Sequence, residues 1–570
     1  MNDKWTSLKH NGVLFPPEYQ YKKYVVVVKN KNIVLPAAAE ELAVAWAQKL
    51  ETPYVQDKVF QENFWVDFSA TLPDDLKNTV FPEDWNFNYI SLELQTNKEK
   101  LKEKDRETKQ KEKEEKEKIK EQYGFAEING QRTPLANFLI EPPGLFMGRG
   151  DHPLRGRWKP RTLPEHVTLN MSKDATPPAA PAGHNWMRVV ENKNALWTAM
   201  WIERLTGRQK RILFSPVSFV RQSSDIKKFS KAVELANRFD EINAFIESKM
   251  KSKDSLTREI ATVCHLIARL SIRVGDEKGE DEADTKGATT LLVENVKING
   301  NKITFDFLGK DSIPYHNVVE FGDVMIQNMT EFTSGKKKSD RIFSNISSHD
   351  VNEFLGIVLP GLTAKQFRTA TGSTLLANEL KARNIDKDEV DRKKLLAFTE
   401  ANLEVAIKLN HQSAVSKNHD ASVEALKEKL AAHKTSLKDL EKEYEEAKER
   451  NKQSTETLSE LLGNTETSKR RTARLAKRSD KKASQKYKEK IAKLKERIKD
   501  LTTKIALKEK TRGIALGTSK LNYADPRIIV SWCKDKDFPL DRIYTKTVQE
   551  KFKWALESDE DFYKKYPKIN

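Results

Sequence analysis

Apolar and polar residues alternate in the middle of the chain in a pattern that predicts a β-meander. The alternating positions flank the turn-forming pair Asn299-Gly300, which is a strong hairpin signal. They are Val296, Ile298, Ile303, Phe305 and Phe307. A second tight turn at residues 309–312 leads into another strand-like segment. Lys310 is therefore expected at a hairpin tip, where its side chain can project into a groove.

A different pattern, with apolar residues spaced by four and three, predicts two long helices between residues 419 and 510. Their narrow seams consist of Leu426, Leu430, His433, Leu437, Leu440, Tyr444 and Ala447, and of Ile491, Leu494, Ile498, Leu501 and Ile505. Because Gly463-Asn464 interrupts the pattern, we expect an antiparallel coiled coil with arms of about 35–40 residues. A basic cluster at residues 469–482 predicts a strongly basic surface on the second arm.

These patterns and the composition between them divide the chain into four predicted regions of an α+β multidomain protein. The regions are a mixed, aromatic-rich lobe at 1–215, a mainly helical lobe with the β-meander at 216–418, the helical hairpin at 419–510 and a small carboxy-terminal domain at 511–570. Within the first lobe, YVVVV at 24–28 predicts a strand, the charged residues 94–122 predict a projecting helix or disorder, and the Pro-rich residues 174–183 predict a loop. A last helix is expected around 546–558.

Charge and cysteine content narrow the class of partner. Lys and Arg total 101 against 84 Asp and Glu, a formal net charge of +17, which favours nucleic acid or an anionic membrane. No apolar run approaches the roughly 18 residues that a membrane helix needs, and the first ten residues lack the apolar stretch of a secretory signal. The two cysteines, Cys264 and Cys533, have apolar neighbours, as buried cysteines of a reducing compartment do. We therefore expect an intracellular protein that binds nucleic acid and no membrane.

Signatures of several enzyme classes are missing from the sequence. Gly309-Lys310 is followed by Asp311, and Thr304 stands where a phosphate-binding Walker loop needs glycine. No Cys/His set has the spacing of a zinc site, and no G-x-S-x-G elbow occurs. We therefore expect a protein that requires no ATP and for which a divalent metal is not essential.

Four further residues in semi-apolar settings are candidates for chemistry. Arg273 lies near the end of an apolar helix that Gly275 is expected to cap, and Arg368 lies in the first turns of another helix. His411 follows an amphipathic stretch, and Tyr523 lies in a short polar turn. Each has an ordinary explanation, since a helix-terminal Arg favours the helix dipole, a lone Tyr lies at a core edge and a His at a helix end packs. Position alone therefore assigns no role.

The local sequences around these residues resemble motifs of the eukaryotic type IB DNA topoisomerases, whose catalytic core is similar to that of the tyrosine recombinases. The strand-clamp loop, first-arginine motif, lysine hairpin, second-arginine helix, histidine motif and active-site tyrosine segment of that family have counterparts in order along the chain. These are EPPGLFMGRGDHP at 141–153, IRVGDEK at 272–278, FDFLGKDSI at 305–313, GLTAKQFRT at 361–369, LNHQ at 409–412 and SKLNYADPRI at 519–528. Six separate motifs in order are highly specific, and the resemblance covers nearly the whole chain.

The resemblance implies a bilobed DNA clamp that relaxes supercoiled DNA by transient cleavage of one strand. It implies that Tyr523 attacks the scissile phosphorus, forms a 3′-phosphotyrosyl bond and releases a 5′-hydroxyl. Arg273, Arg368 and His411 would donate hydrogen bonds to the non-bridging oxygens, and Lys310 would protonate the leaving oxygen. The positions that the family uses for DNA contacts beside the cut are Asn522, Lys365, Arg149 and Asp311. The implied partner is double-stranded DNA, bound by a monomer in the nucleus, with roles in DNA replication and transcription.

Phosphoryl-transfer chemistry independently favours such a set. The reaction needs a nucleophile in line with its leaving group and fixed positive donors on the equatorial oxygens. Two guanidinium groups and an imidazole can supply that charge without magnesium. A phenol with a pKa of about 10 is a weak nucleophile, so neighbouring cations must favour its phenolate. Because a phosphotyrosine retains the bond energy, religation by the 5′-hydroxyl needs no ATP.

The sequence departs from the family at several positions. Met147 stands where a basic residue is common in the clamp loop, so we expect weaker DNA contact there. Leu154 stands where a lysine often helps to close the clamp, so the sequence does not assign the closing contact. The long charged amino-terminal tail common in the family is nearly missing, so nuclear targeting is expected to come from elsewhere. The cluster at 469–482 is either a targeting signal or the solvated face of a helix.

Two other functions are compatible with the same residues. A tyrosine site-specific recombinase uses Arg, Lys, Arg, His and Tyr, but it needs sequence-specific sites and protomers assembled on DNA. A non-catalytic DNA-binding clamp or scaffold would bind DNA through basic faces, in a salt-sensitive way and without a covalent adduct.

Overall fold

The chain forms two compact units. The computed structural model describes residues 4–102, 105–148, 150–275, 285–413, 415, 418–461 and 466–569, and for residues 102, 106, 311 and most of 451–483 it describes the backbone alone. Unit 1 comprises Met1–Lys231, Glu241–Ala364 and Tyr544–Leu556, and unit 2 comprises Ala232–Asp240, Lys365–Ile543 and Glu557–Asn570. The four regions expected from the sequence follow chain order rather than these contacts, and they stay a prediction.

Among the residues that the structure describes, short strands form five small sheets within unit 1. The strands are β1 (Leu8–His10), β2 (Val25–Val28), β3 (Lys31–Val34), β4 (Trp85–Asn86), β5 (Phe125–Ile128), β6 (Gln131–Pro134), β7 (Gly144–Leu145), β8 (Trp158–Lys159), β9 (Val167–Asn170), β10 (Arg188–Val190), β11 (Trp197–Ile202), β12 (Gln209–Leu213), β13 (Val296–Asn299), β14 (Lys302–Gly309) and β15 (Ile313–Glu320). Their orders are β1-β5-β6, β3-β2-β4, β7-β8, β10-β9-β11-β12 and β13-β14-β15. Strands β9 and β10 pair in parallel, whereas the other pairs are antiparallel.

Helices occur in both units. They are α1 (Ala37–Ala47), α2 (Lys58–Ser69), α3 (Asp74–Lys77), α4 (Asn88–Lys102), α5 (Arg106–Tyr123), α6 (Phe219–Asn237), α7 (Phe239–Lys249), α8 (Ser255–Leu270), α9 (Asp323–Thr333), α10 (Ser348–Val358), α11 (Ala364–Ala382), α12 (Asp391–Lys408), α13 (His419–Leu461), α14 (Glu466–Lys510), α15 (Leu516–Thr518), α16 (Pro526–Asp535), α17 (Lys546–Lys551) and α18 (Phe562–Lys565). Within the part of the chain that the structure describes, none of them is long and apolar enough to cross a membrane.

An aromatic core fills the amino-terminal part of unit 1. The ring of Trp46 stacks on Phe64 with centroids 4.5 Å apart, and Phe64 stacks on Phe68 at 5.0 Å. Aromatic side chains dominate core energetics because each buries a large apolar area. Met147 is half-buried and packs against this cluster. The methionine that stands in place of a basic residue therefore contributes apolar surface to the core.

Three local predictions for the amino-terminal lobe are confirmed. The segment YVVVV contains β2, and residues 174–183 form turns and irregular structure. The charged stretch at 94–122 is helical in α4 and α5, with Asp105 between the two helices, and its projection from the lobe stays a prediction. Asp105 caps α5 by accepting a hydrogen bond from the Thr108 backbone N–H at 2.6 Å.

The predicted meander is present as β13–β15, with one shift in register. Asn299 pairs with Lys302, so the turn residues are Gly300-Asn301 rather than Asn299-Gly300. Gly300 has a φ of +59°, and a glycine at the first turn position suits a two-residue hairpin loop. At the second turn, Gly309 pairs with Ile313 around Lys310–Ser312, which confirms Lys310 at a hairpin tip.

Helix α8 ends earlier than the sequence predicted. Its cap is Ser271, which takes a left-handed conformation (φ 54°) and donates its backbone N–H to the carbonyl of Ile267. The prediction that Gly275 caps this helix is wrong. Gly275 instead packs against Gly287. A Cβ added to Gly287 would lie 2.4 Å from the backbone nitrogen of Gly275. The close approach of two backbones, not helix termination, explains these glycines.

The two long helices of unit 2 run side by side as predicted, and they are longer than expected, with 43 residues in α13 and 45 in α14. Tyr444 on α13 and Tyr487 on α14 have ring centroids 5.6 Å apart, and the Tyr444 hydroxyl bonds Ser484 at 2.7 Å. The predicted seam residues are buried or half-buried, whereas most of their described neighbours are exposed. The turn at Gly463-Asn464 lies outside the described residues, as do most side chains of 469–482. Coiled-coil packing and the basic surface stay predictions.

The last predicted helix is shorter than 546–558. Helix α17 ends at Lys551, and a separate 3-10 turn follows at Lys553–Ala555. Phe552 between them is fully buried and packs against Tyr544 with centroids 5.6 Å apart. Insertion of this ring into the core interrupts the helix.

Candidate active site

Three of the candidate residues converge within unit 2. The guanidinium carbon of Arg368, in the second turn of α11, lies 5.0 Å from the ring centroid of Tyr523. The ring of His411, just after α12, lies 4.9 Å from the same ring. All three side chains are buried, each with a residue exposure of 5%. Residues separated by up to 155 positions in sequence therefore form one small cationic and aromatic cluster.

Backbone contacts hold His411 rigidly at the end of α12. Its N–H donates to the carbonyl of Ala406 at 2.8 Å, and its carbonyl accepts from the N–H of Ala515 at 2.8 Å. Asn410 takes a left-handed conformation (φ 53°), which turns the chain out of the helix. The Nδ1 atom of the imidazole lies 3.1 Å from the hydroxyl of Ser519. The backbone of His411 is thus held by two hydrogen bonds, and its ring is held at Nδ1 by the Ser519 hydroxyl.

Tyr523 ends a wide π-helical turn, Ser519–Tyr523. Its backbone carbonyl accepts a hydrogen bond from the Ser373 hydroxyl at 3.1 Å, and that hydroxyl accepts from the Asp525 N–H at 2.9 Å. Gly372 lies so close that an added Cβ would be 3.3 Å from the Tyr523 Cβ. Helix α11 therefore carries both Arg368 and the residues that hold the tyrosine turn. Single π turns often occur at functional sites.

A buried ion pair follows the tyrosine turn. Asp525 is fully buried and caps α16 by accepting from the Arg527 backbone N–H at 3.0 Å. The Arg527 guanidinium also donates to both carboxylate oxygens, at 2.7 Å for the shortest contact. Although burial opposes it, the bond to Asp525 raises the pKa of Arg527 above its usual value. This pair anchors the segment just beyond Tyr523.

Lys520 lies in the tyrosine turn but is bonded elsewhere. Its ammonium group donates to the carbonyl of Ile543 at 2.8 Å, and burial lowers its pKa. Arg368 donates to the carbonyl of Leu409 at 2.9 Å. A guanidinium cannot lose its proton at physiological pH, so Arg368 is the permanent positive charge beside the phenol.

The other two catalytic candidates lie in unit 1. Arg273 is exposed in an irregular segment after α8, and its carbonyl accepts from the Ala288 N–H at 2.8 Å. Lys310 is exposed at the tip of the β14–β15 hairpin. Within the described residues, no group of three or more His, Cys, Asp or Glu side chains could hold a metal ion.

Comparison with known families assigns the chain. Residues 3–214 match the eukaryotic DNA topoisomerase I DNA binding fragment, residues 217–444 match the catalytic core of the same enzymes, and residues 495–564 match the C-terminal topoisomerase domain. DNA topoisomerase 1 of Rattus norvegicus is 36% identical over 570 residues, which cover 98% of this chain and 71% of the relative. The chain belongs to the eukaryotic DNA topoisomerase I family.

Other relatives in this family are similar at the same level. DNA topoisomerase 1 alpha of Arabidopsis thaliana is 38% identical over 564 residues, which cover 98% of this chain. DNA topoisomerase 1 of Homo sapiens is 35% identical over 570 residues, covering 98% of this chain and 72% of the human protein. The chain spans 59% of the length of the Arabidopsis relative, which is less than two thirds.

The predicted DNA-contact residues of this family member are described to different extents. Asn522, next to Tyr523, and Lys365, one turn before Arg368, are exposed. Asp311 is described by its backbone alone, in the turn of the lysine hairpin. Arg149 lies outside the described residues.

Gly150 approaches the lysine hairpin within unit 1. Gly150 has a φ of +57°, and an added Cβ would lie 2.5 Å from the Ser312 hydroxyl. Leu154, which stands in place of a clamp-closing lysine, is half-buried. The two family motifs at 141–153 and 305–313 therefore meet, although the sequence separates them by more than 150 positions.

Three buried residues of the site were missed by sequence reasoning. Ser519 and Asp525 lie inside the tyrosine motif, in which the sequence indicated only the tyrosine and the asparagine as candidates. Ser373 lies four residues beyond the second-arginine motif, and no local pattern marks it. Each of them is identified by its contacts within the site, which a sequence does not display.

Proposed function

We propose that this protein relaxes positive and negative DNA supercoils without ATP, as a type IB topoisomerase, through a transient 3′-phosphotyrosyl bond to Tyr523. The observation that carries the proposal is the convergence of Arg368 and His411 on the Tyr523 ring in a member of the eukaryotic DNA topoisomerase I family. No ATP is needed because the covalent bond stores the energy for religation, and no divalent metal is essential because the cationic side chains supply the charge.

Each catalytic residue then has one task. Tyr523 releases its phenolic proton to water as its oxygen attacks phosphorus, the bond from phosphorus to the 5′ oxygen breaks, and Lys310 gives a proton to that oxygen. Arg273, Arg368 and His411 donate hydrogen bonds to the non-bridging oxygens. Religation reverses these steps, with the 5′-hydroxyl as nucleophile. General acid catalysis of this kind typically contributes about 10²–10⁴-fold.

Burial makes the cluster in unit 2 suited to this chemistry. A cation near a phenol favours its phenolate, and the effect is stronger away from water because screening is weaker. Arg368 lies 5.0 Å from the Tyr523 ring with both residues 5% exposed. Since Arg368 and His411 are held by backbone contacts before DNA arrives, little movement of these two side chains is needed in the transition state.

The proposal includes a DNA clamp. A cap lobe at 1–215 and a catalytic lobe at 216–418 with 511–570 would close around double-stranded DNA, and the coiled-coil linker at 419–510 would slow rotation of the free end. Contacts from Asn522, Lys365, Arg149 and Asp311 would lie beside the cut. We also propose that the protein is a monomer, because one chain carries every catalytic residue. We propose further that it acts in the nucleus during replication and transcription.

The test is relaxation of a negatively supercoiled plasmid in EDTA without ATP. We expect relaxation by the wild type and by Tyr89→Phe, a control at an exposed tyrosine of α4. We expect none by Tyr523→Phe. Denaturant added during the reaction should trap a covalent adduct in which the 3′ end of the cleaved DNA strand is joined to the wild-type protein.

Other outcomes would replace the proposal. Binding without relaxation or adduct by the wild type would indicate a non-catalytic clamp. Strand exchange confined to specific sites would indicate a recombinase. Relaxation by Tyr523→Phe would mean that the nucleophile is another residue.

A further inference from the structure

The hydroxyl of Ser519 contacts the imidazole of His411 on the side away from Arg368. Ser519 is fully buried, and its Oγ atom lies 3.1 Å from Nδ1. On the other side of the ring, an Arg368 nitrogen lies 3.4 Å from Nε2. The imidazole is therefore placed between a hydroxyl and a guanidinium.

The types of these partners determine where the ring proton lies before DNA binds. A guanidinium only donates hydrogen bonds, so Nε2 faces Arg368 with its lone pair. A neutral imidazole carries one proton, which must then be on Nδ1. In this state Nδ1–H donates to the Ser519 hydroxyl oxygen.

The proposed catalytic role of His411 requires the opposite arrangement. To donate a hydrogen bond to a non-bridging phosphate oxygen through Nε2, the ring must carry a proton on Nε2. Nδ1 then either keeps its proton, as imidazolium, or offers a lone pair. A hydroxyl satisfies both cases, because it can accept from Nδ1–H or rotate and donate to the Nδ1 lone pair.

We propose that Ser519 is a positioning residue that keeps His411 bonded when the ring takes up a proton from water on Nε2, either keeping its Nδ1 proton or releasing it to water; this inference rests on the proposed function. A fixed acceptor such as a backbone carbonyl would hold the proton on Nδ1 and oppose the change. The serine also belongs to the turn that carries Tyr523, and its carbonyl accepts from the Ala524 N–H at 2.9 Å. One five-residue turn therefore places both the nucleophile and the partner of the histidine.

The test is a double-mutant cycle measured by single-turnover cleavage of a nicked suicide DNA substrate. Ser519→Ala should slow cleavage about tenfold, the effect of one net hydrogen bond on a rate. In a His411→Gln background, the same change should alter the rate less than about twofold, because the serine acts through the histidine. Affinity for uncleaved DNA should remain within about twofold, since little uniform binding is lost.

A second variant separates hydrogen bonding from packing. Ser519→Cys keeps the approximate shape but has a weaker donor and acceptor, so its cleavage rate should lie between wild type and Ser519→Ala. Thermal melting of each variant checks folding independently of the reaction.

The possible outcomes are distinct. An equal loss from Ser519→Ala in both backgrounds would mean that the serine only stabilises the turn, and an unchanged rate in the wild-type background would remove any role. Either result would overturn the inference and leave the proposed function intact. A wild type that forms no Tyr523-dependent adduct would instead overturn the proposed function, and the inference with it.

Discussion

The ion pair after the tyrosine turn leads to a prediction about local stability. The Asp525 side chain has no solvent exposure, whereas the Arg527 side chain is 22% exposed. Arg527→Met removes every guanidinium contact and leaves the carboxylate with the backbone N–H of residue 527. An uncompensated buried charge typically costs 3–5 kcal/mol, and the partial exposure of Arg527 favours the lower end, about 3 kcal/mol.

Hydrogen exchange measured by mass spectrometry reports this loss directly. A change of about 3 kcal/mol raises the local opening constant roughly 150-fold, so peptides covering Pro526–Asp535 should exchange faster by about that factor. The matched control is Arg512→Met. Its partner Asp420 is 71% exposed and Arg512 is 57% exposed, so water screens this pair and exchange should stay close to that of the wild type.

Two results would refute this reasoning. One is exchange in Arg527→Met within about fivefold of the wild type, a change of less than about 1 kcal/mol. The other is failure of Asp525→Asn to recover protection when it is added to Arg527→Met. The asparagine removes the unpaired charge, so a loss that persists would come from packing of the arginine stem rather than from charge.

Three further predictions concern other parts of the molecule. Ser373→Ala leaves two buried backbone groups of the tyrosine turn without its hydroxyl and should cost about 2 kcal/mol in the same exchange assay, whereas the exposed Ser436→Ala should have no effect. Burial lowers the pKa of His10 from 6.5 to about 4, and the neutral ring bonds the Gly12 N–H and the Asn170 carbonyl. Because the unfolded chain binds more protons between these values, stability should fall by about 3 kcal/mol as pH drops from 6.5 to 4. Urea unfolding should show this slope in the wild type and a flatter one in His10→Gln; equal slopes would contradict it. Finally, DNA affinity should fall steeply and linearly with the logarithm of salt concentration, and a flat response would exclude a binding surface dominated by phosphate contacts.

Much of the local structure could be predicted because it depends on neighbours in sequence. The spacing of four and three gave the two long helices, and alternation gave the meander, because side-chain direction repeats with the period of each element. Boundaries were less accurate. The hairpin turn differs by one residue because the strand register places Gly300 at its first position. Helix α8 ends at Ser271, which takes a left-handed conformation, and Gly275 lies beyond the helix where two backbones meet.

The sequence by itself determined the family and the types of residue available for chemistry, since short motifs in order carry that information. Only the tertiary structure decided which of them meet. The helix of Arg368 also provides Ser373, which holds the backbone of Tyr523, 150 positions away. Likewise, Ser519 reaches His411 across 108 positions. Such contacts depend on how helices pack and not on any local periodicity, because a buried hydroxyl looks the same in a sequence whether its partner is water or a catalytic ring.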